Sequence, residues 1–188
     1  MDLVEEVVPL ADRELAVLRP RDAEALVDEH AFEEDEFLPY WAQLWPSGVA
    51  LARAVASRAL KGARVLEIGC GLGLPSLAAA RAGGRVLATD WSPTAIELLQ
   101  DNADRNGVAL EAAVVSWTEP APLLARAPFD LVLAADVLYE RRTAPVLADL
   151  LPRLGGEVLL ADPGRPPLEE FLERFGPVWA RPPVYRVR

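Results

Sequence analysis

Residues 64–77, Arg-Val-Leu-Glu-Ile-Gly-Cys-Gly-Leu-Gly-Leu-Pro-Ser-Leu, read as a short buried strand, a glycine turn and the start of a helix. Gly69 and Gly71 let the backbone bend sharply and approach a ligand closely, and the helix that follows presents unpaired N–H groups. Such a turn alone is a weak signal. Its weight comes from Asp90, twenty-one residues after Gly69 at the end of the next apolar run, where a carboxylate can accept hydrogen bonds from both hydroxyls of a ribose.

From Arg64 onward, β-rich apolar runs alternate with segments of helical period, the pattern of a parallel sheet with crossover helices. Strands are predicted at Arg64–Ile68, Arg85–Thr89, Leu110–Val115, Phe129–Ala134 and Glu157–Ala161, each short and almost continuously apolar, as buried parallel strands are. Ser92-Pro93 starts a helix with Ile96, Leu99 and Ala103 on one face and Asn106-Gly107 at its end. Leu147, Leu150, Leu151 and Leu154 mark a second, stopped by Gly155-Gly156, and Leu168, Phe171, Leu172 and Phe175 a third, stopped by Gly176. Val178–Val187, with Pro182-Pro183 at its centre, predicts a closing hairpin that brings the strand count to seven. Upstream, Glu14–Leu18 reads as a short strand, Asp22–Glu29 as a short helix capped by Asp22, and Ser47 or Gly48 as the cap of a helix reaching Ala59 with Leu51, Ala52, Val55 and Ala59 on one face.

At 188 residues the chain has the length of one domain and can bury roughly 70% of its unfolded surface. Its apolar fraction is 52%, yet charges interrupt every run well before the 18 or so residues that span a bilayer. The beginning, Met1-Asp2-Leu3-Val4-Glu5-Glu6, is acidic where a secretory signal is basic, so the expected location is cytoplasmic, away from membranes. Cys70 and His30 are the only cysteine and histidine, which leaves no internal disulfide and no thiolate–imidazole zinc site; no metal is expected. A net charge of −10 opposes binding to a nucleic-acid backbone, whose affinity comes from Lys and Arg. The acids between Asp28 and Glu36 read as a solvated face, or as a contact for a basic partner. His30 reads as a surface residue.

The ligand of the glycine turn is narrowed by two positions. A dinucleotide fingerprint G-x-G-x-x-G requires glycine or alanine at 74, where this chain has Leu74 followed by Pro75. Glu67, two residues before Gly69, repels phosphate and suits a cation. The turn therefore suits a cationic nucleoside without phosphate. Cys70, between two glycines and with no evident base nearby, reads as packing.

With these residues placed, the chain resembles the seven-β-strand methyltransferases that use S-adenosylmethionine, and more narrowly the small protein-lysine methyltransferases. The resemblance rests on the glycine turn, on Pro39-Tyr-Trp-Ala-Gln-Leu-Trp-Pro-Ser-Gly48, on Asp136-Val-Leu-Tyr139 and on Asp162-Pro-Gly-Arg165. It implies a Rossmann-like α/β fold: a mostly parallel seven-stranded sheet with helices on both faces and an antiparallel strand near the C-terminus. Residues 1–188 would form one domain, with 1–60 an extension and first helix and 61–188 the cofactor-binding core. It implies S-adenosylmethionine as cofactor and S-adenosylhomocysteine as product. Glu67, Gly69 and Gly71 would hold the methionine portion and Asp90 the ribose, while Trp45, Trp91, Trp117 and Ala134 would line the cofactor. The residue before Trp117 is often Asp in such proteins and here is Ser116, so the adenine amino group needs Ser116 or a backbone carbonyl.

Methyl transfer requires a positioned nucleophile and exclusion of water more than a dedicated base. Asp136 is the candidate to orient an ammonium and release it as an amine, and Tyr139 to wall the acceptor channel. Asp136 also fits a turn cap, Asp162 and Arg165 fit either acceptor binding or a loop staple, Trp41 fits core or site, and Trp179 fits the core. The expected partner is a protein substrate, the chain itself a monomer or weak dimer. A small-molecule amine acceptor and a cofactor-binding module without catalysis are the alternatives.

Overall fold

In the computed structural model, which describes residues 1–10, 13–26, 39–175 and 179–187, the chain opens with a hairpin. Strands β1 (Leu3–Pro9) and β2 (Glu14–Pro20) pair antiparallel, from Leu3 opposite Pro20 to Pro9 opposite Glu14. Only β2 was predicted. Asp22 caps a turn, its Oδ1 accepting from the N–H groups of Glu24 and Ala25 at 3.0 and 3.2 Å, but among the described residues the helical part is a 3-10 turn at Glu24–Leu26. The rest of that predicted helix, His30, the acidic run to Glu36, Gly176 and the start of the closing hairpin at Val178 lie outside the described residues.

Helix α1 (Pro46–Ala56) begins one residue before Ser47 and two before Gly48, the two predicted caps. Pro46 supplies its first turn, where a missing N–H costs nothing, and the preceding Trp45 makes no side-chain cap. Ser47 is buried inside the helix, and Ala59 is an exposed residue beyond its end. The remaining elements follow the predicted alternation: β3 (Arg64–Ile68), α2 (Leu74–Arg81), β4 (Arg85–Asp90), α3 (Pro93–Arg105), β5 (Glu111–Val114), α4 (Ala121–Leu124), β6 (Phe129–Ala135), α5 (Thr143–Leu154), β7 (Gly155–Ala161), α6 (Pro166–Phe175), β8 (Trp179–Arg181) and β9 (Val184–Val187). Ser92 caps α3, its side chain accepting from the Ala95 N–H at 3.3 Å. Gly155 ends α5 and begins β7 with no loop between, at φ +129°, because a Cβ there would stand 2.4 Å from the Phe129 carbonyl oxygen.

The seven strands of the main sheet lie in the order β5-β4-β3-β6-β7-β9-β8. Parallel pairing joins β5 through β7, and β9 runs antiparallel between β7 and β8. The pleat sorts side chains to two cores. Val65, Leu131, Leu133 and Leu159 meet Leu51, Leu77 and Leu99 of α1, α2 and α3 on one face. Leu66, Ile68, Val132 and Leu160 meet Leu147, Leu151 and Phe171 of α5 and α6 on the other.

The N-terminal hairpin is tied to α3 by two asparagines one turn apart. Asn102 Oδ1 accepts from the Leu18 N–H at 2.6 Å and its Nδ2 donates to the Leu18 carbonyl at 3.2 Å; Asn106 forms the equivalent pair with Ala16 at 3.0 and 2.7 Å. Four helical residues and two strand residues each advance about 6 to 7 Å, so two amides on one helix face match two alternate residues of a strand.

Candidate active site

The first strand of the main sheet, β3, has β4 on one side and β6 on the other, and the chain order reverses there. Ligand clefts of open α/β sheets form at the carboxyl ends of strands at such a switch point. Here the ends of β3, β4 and β6 open into a cleft lined by the glycine turn, Asp90, Trp91, Trp117, Asp136, Tyr139 and the Tyr40–Trp45 segment.

The turn is built for close approach. Gly69, Gly71 and Gly73 all have positive φ. A Cβ on Gly69 would stand 2.9 Å from Trp117 Cζ2, and one on Gly71 3.1 Å from the Trp41 carbonyl oxygen. Trp41, which the sequence left between core and site, serves both: it packs on the first core and lines the cleft.

Glu67 is almost fully buried, and its Oε2 accepts a hydrogen bond from the Ser76 hydroxyl in the first turn of α2. Burial pushes its carboxyl up to about 8; hydrogen bonds from Ser76 oppose that and Asp90 adds to it. Asp90 is also buried; Oδ2 accepts from the Gly71 N–H at 2.9 Å and Oδ1 from the Ser92 N–H at 3.0 Å. Burial raises its carboxyl above the ordinary range against those backbone donors. Each Asp90 oxygen keeps a lone pair for a ribose hydroxyl. Glu67 is a buried acid facing a cleft that holds no cation of its own among the described residues. These features fit S-adenosylmethionine: glycines that admit its backbone contacts, an acid for its amino-acid portion and a carboxylate for its ribose.

Of the four further residues placed along the cofactor by sequence, three line the cleft. Trp45 donates its Nε1–H to the Tyr40 carbonyl at 2.8 Å, Trp91 stands 41% exposed on the rim, and Trp117 leans on Gly69. Ala134 does not. It is fully buried in the second core, because the pleat of β6 turns it toward α5 and brings Ala135 to the cleft instead. A second recess, lined by Ser116, Trp117, Thr118 and Tyr139, continues from the first past Trp91. The Ser116 hydroxyl bonds the Thr118 hydroxyl at 2.8 Å within it. Cys70 is buried, and burial lifts its thiol well above the ordinary value, in keeping with packing alone.

Asp136 sits just past β6 at φ +57°, in the left-handed region, with its N–H donated to the Ala161 carbonyl at 2.9 Å. Its Oδ1 accepts from Arg165 Nη1 at 2.6 Å, and the same nitrogen reaches Asp162 Oδ2 at 3.1 Å. Asp162 is wholly buried and uses Oδ1 to accept from the N–H groups of Gly164 and Arg165. Asp162 and Arg165 thus staple the loop after β7, and Arg165 also reaches the cleft wall. Asp136 Oδ2 is buried with no hydrogen-bond partner among the described residues. Tyr139 lies 5.1 Å from Tyr40, centroid to centroid, and Tyr40 lies 6.2 Å from Trp45. Burial, then Glu140, Asp90 and Tyr40, push the Tyr139 phenol up to about 12, so it stays protonated. Sequence reasoning missed Ser76, Tyr40 and the Asp136–Arg165 link. All of these residues lay inside segments already singled out, Ser76 in residues 64–77, Tyr40 in 39–48, Asp136 in 136–139 and Arg165 in 162–165, but no spacing in the sequence pairs them.

Comparison with known proteins gives the same direction. A family profile described as lysine methyltransferase matches residues 28–161. The electron transfer flavoprotein beta subunit lysine methyltransferase of Xenopus laevis is 35% identical over 137 residues, 68% of this chain and 53% of that protein. Protein N-lysine methyltransferase METTL21A of Danio rerio is 34% identical over 120 residues, 60% of this chain and 55% of its own length. The chain thus spans about half the length of the curated relatives it matches. Among solved structures, the T. thermophilus 16S rRNA N2 G1207 methyltransferase (RsmC), in complex with AdoMet and guanosine, superposes with a TM-score of 0.65 at 18% identity, covering 98% of this chain and 49% of that one. At that identity the likeness concerns the fold. Among the described residues no helix is long and apolar enough to cross a membrane.

Proposed function

This chain belongs to the lysine methyltransferase family, and from that premise we propose that it transfers a methyl group from S-adenosylmethionine to a lysine amine of a protein. The observation that carries the reading is the position of Asp136 in the same cleft as the glycine turn, with a buried Oδ2 that no described residue pairs. An orphaned buried carboxylate oxygen is costly, and an ammonium supplied by a substrate satisfies it.

S-adenosylmethionine, when bound, supplies an electrophilic methyl group on a sulfonium that needs no protonation to leave. Gly69 and Gly71 would bring the backbone close to its methionine portion, Glu67 would offset that portion's ammonium, and Asp90 would accept from the ribose. Trp91 and Trp117 would lie on the adenine side, and Trp45 would help to close the cleft. Asp136 and Tyr139 act on the acceptor. A lysine with its usual pKa of about 10.4 is neutral in only about one molecule in a few thousand at pH 7. Asp136 draws the ammonium into the cleft and orients it, and the wall formed by Tyr40 and Tyr139 strips its water, so that the proton is lost to solvent before the lone pair attacks. The acceptor is a protein of basic or mixed surface, met by an acidic enzyme in the cytoplasm.

Incubation with methyl-labelled S-adenosylmethionine and a cell lysate tests this. Label should enter a protein band and vanish with Asp136→Asn while S-adenosylhomocysteine binding persists. Label only in the metabolite fraction would move the acceptor to a small amine. Binding without label in either fraction would leave a non-catalytic module, and loss of binding would sink the reading.

A further inference from the structure

The geometry points to Arg165 as a positioning residue that sets the charge felt by the acceptor amine, an inference that rests on the lysine reading above. Two buried carboxylates, Asp136 and Asp162, share one guanidinium nitrogen at 2.6 and 3.1 Å. Two negative charges and one positive leave one formal negative charge, and Asp136 carries the oxygen that no described residue satisfies. A substrate ammonium is therefore the fourth member that neutralises the cluster.

The balance matters for rate as well as binding. An ammonium facing two uncompensated carboxylates is held too firmly in its protonated, unreactive form; one facing a single net charge is captured yet can still release its proton. Arg165 supplies that moderation from the loop after β7, anchored by the backbone bonds of residues 164 and 165 to Asp162. Its guanidinium carbon also lies 6.0 Å from the Trp45 ring centre, so it bridges the acceptor carboxylate and the segment that covers the cleft.

Among the described residues, Glu67 and Asp90 line the same cleft from β3 and β4, Cys70 from the glycine turn, Tyr40 from the turn before α1, and Tyr139 from the segment after β6. Glu140 and Arg142, farther along that segment, pair with each other. Among these described groups, only Arg165 is a cation bonded directly to Asp136.

The test compares wild type, Arg165→Gln, Arg165→Lys and Asp136→Asn, using n-butylamine as a lysine side-chain probe with S-adenosylhomocysteine present, alongside the pH profile of label transfer to the protein band. Arg165→Gln should bind n-butylammonium several-fold more tightly at pH 7, yet transfer methyl at least tenfold more slowly there. Its profile should move upward by about one to two pH units, with the rate recovering at alkaline pH. Arg165→Lys should return the profile toward wild type without restoring the full rate, because one ammonium cannot reproduce the guanidinium fork. Asp136→Asn should lose the probe. A uniform loss of rate in Arg165→Gln, with no displacement of the profile and no change in probe affinity, would reduce Arg165 to a structural staple and overturn the inference. Wild type that fails to bind S-adenosylhomocysteine would instead overturn the methyltransferase reading, and this inference with it.

Discussion

Gly69 is constrained both by its backbone and by its neighbours in the cleft. Its φ is +60°, and the space a side chain would take is filled by Trp117 and Val137. Gly69→Ala therefore combines backbone strain with displacement of the Trp117 ring that lines the cleft. Expected outcomes are a loss of about 1–3 kcal/mol in stability by thermal unfolding and at least a tenfold loss in S-adenosylhomocysteine affinity by calorimetry. Gly107→Ala, also at positive φ but with nothing within 4 Å of the added Cβ, is the control: it should share the strain and leave affinity untouched. At this scale the sequence was readable where the turn demanded glycine at positive φ, as at Gly69 and Gly71, and where a carboxylate ends the next strand beside it, as at Asp90. The bond from Arg165 to Asp136 was not readable, because the two are 29 positions apart and meet only through the register of β6 against β7. Ala134 failed for a related reason: a one-residue offset on a pleated strand exchanges the core side for the cleft side.

The parallel strands and the amphipathic helices α3, α5 and α6 were legible because each apolar run is short, buried and punctuated by Pro, Gly or Asn. Strand β1 was not. Val8 is its only fully buried residue, so no alternation marks it, and its partner β2 owes part of its own placement to side chains 84 and 90 residues away. Asn102 also donates to the Leu72 carbonyl at 3.2 Å, which links β2, α3 and the glycine turn through one buried amide. Asn102→Ala would leave buried groups of Leu18 and Leu72 unpaired, at a cost of about 2–4 kcal/mol, and should weaken S-adenosylhomocysteine binding several-fold. Asn106→Ala, which breaks the contact with Ala16 but not with Leu72, should destabilise without that loss of affinity. Thermal unfolding and calorimetry on the two variants separate the effects.

For the whole molecule, Glu67 makes stability depend on pH in a defined direction. Its folded value of about 8 lies above the ordinary value of 4.5, so folding takes up a proton across that window. The favourable contribution is complete below about 4.5 and is lost as pH rises through about 8; Asp90, also raised, acts with the same sign. Glu67→Gln should match wild type in Tm near pH 4.5 and exceed it by several degrees at pH 9. Because a bound cation favours ionised Glu67, S-adenosylmethionine should stabilise wild type more strongly at pH 9 than at pH 5.5. Equal melting curves for the two proteins at pH 9 would refute the assignment.

The amide pairs on α3 also bear on self-association. An exposed strand edge is a template for another chain, and a neighbouring strand that covers it creates a fresh edge of its own. A helix that covers it does not. By meeting β2 at Ala16 and Leu18 with Asn106 and Asn102, α3 acts as a terminator: pairing on that side stops at a surface that cannot propagate it. The opposite strand, β1, carries Glu5 and Glu6, paired with Arg105 and Arg19, and charged side chains on an edge strand disfavour the addition of another.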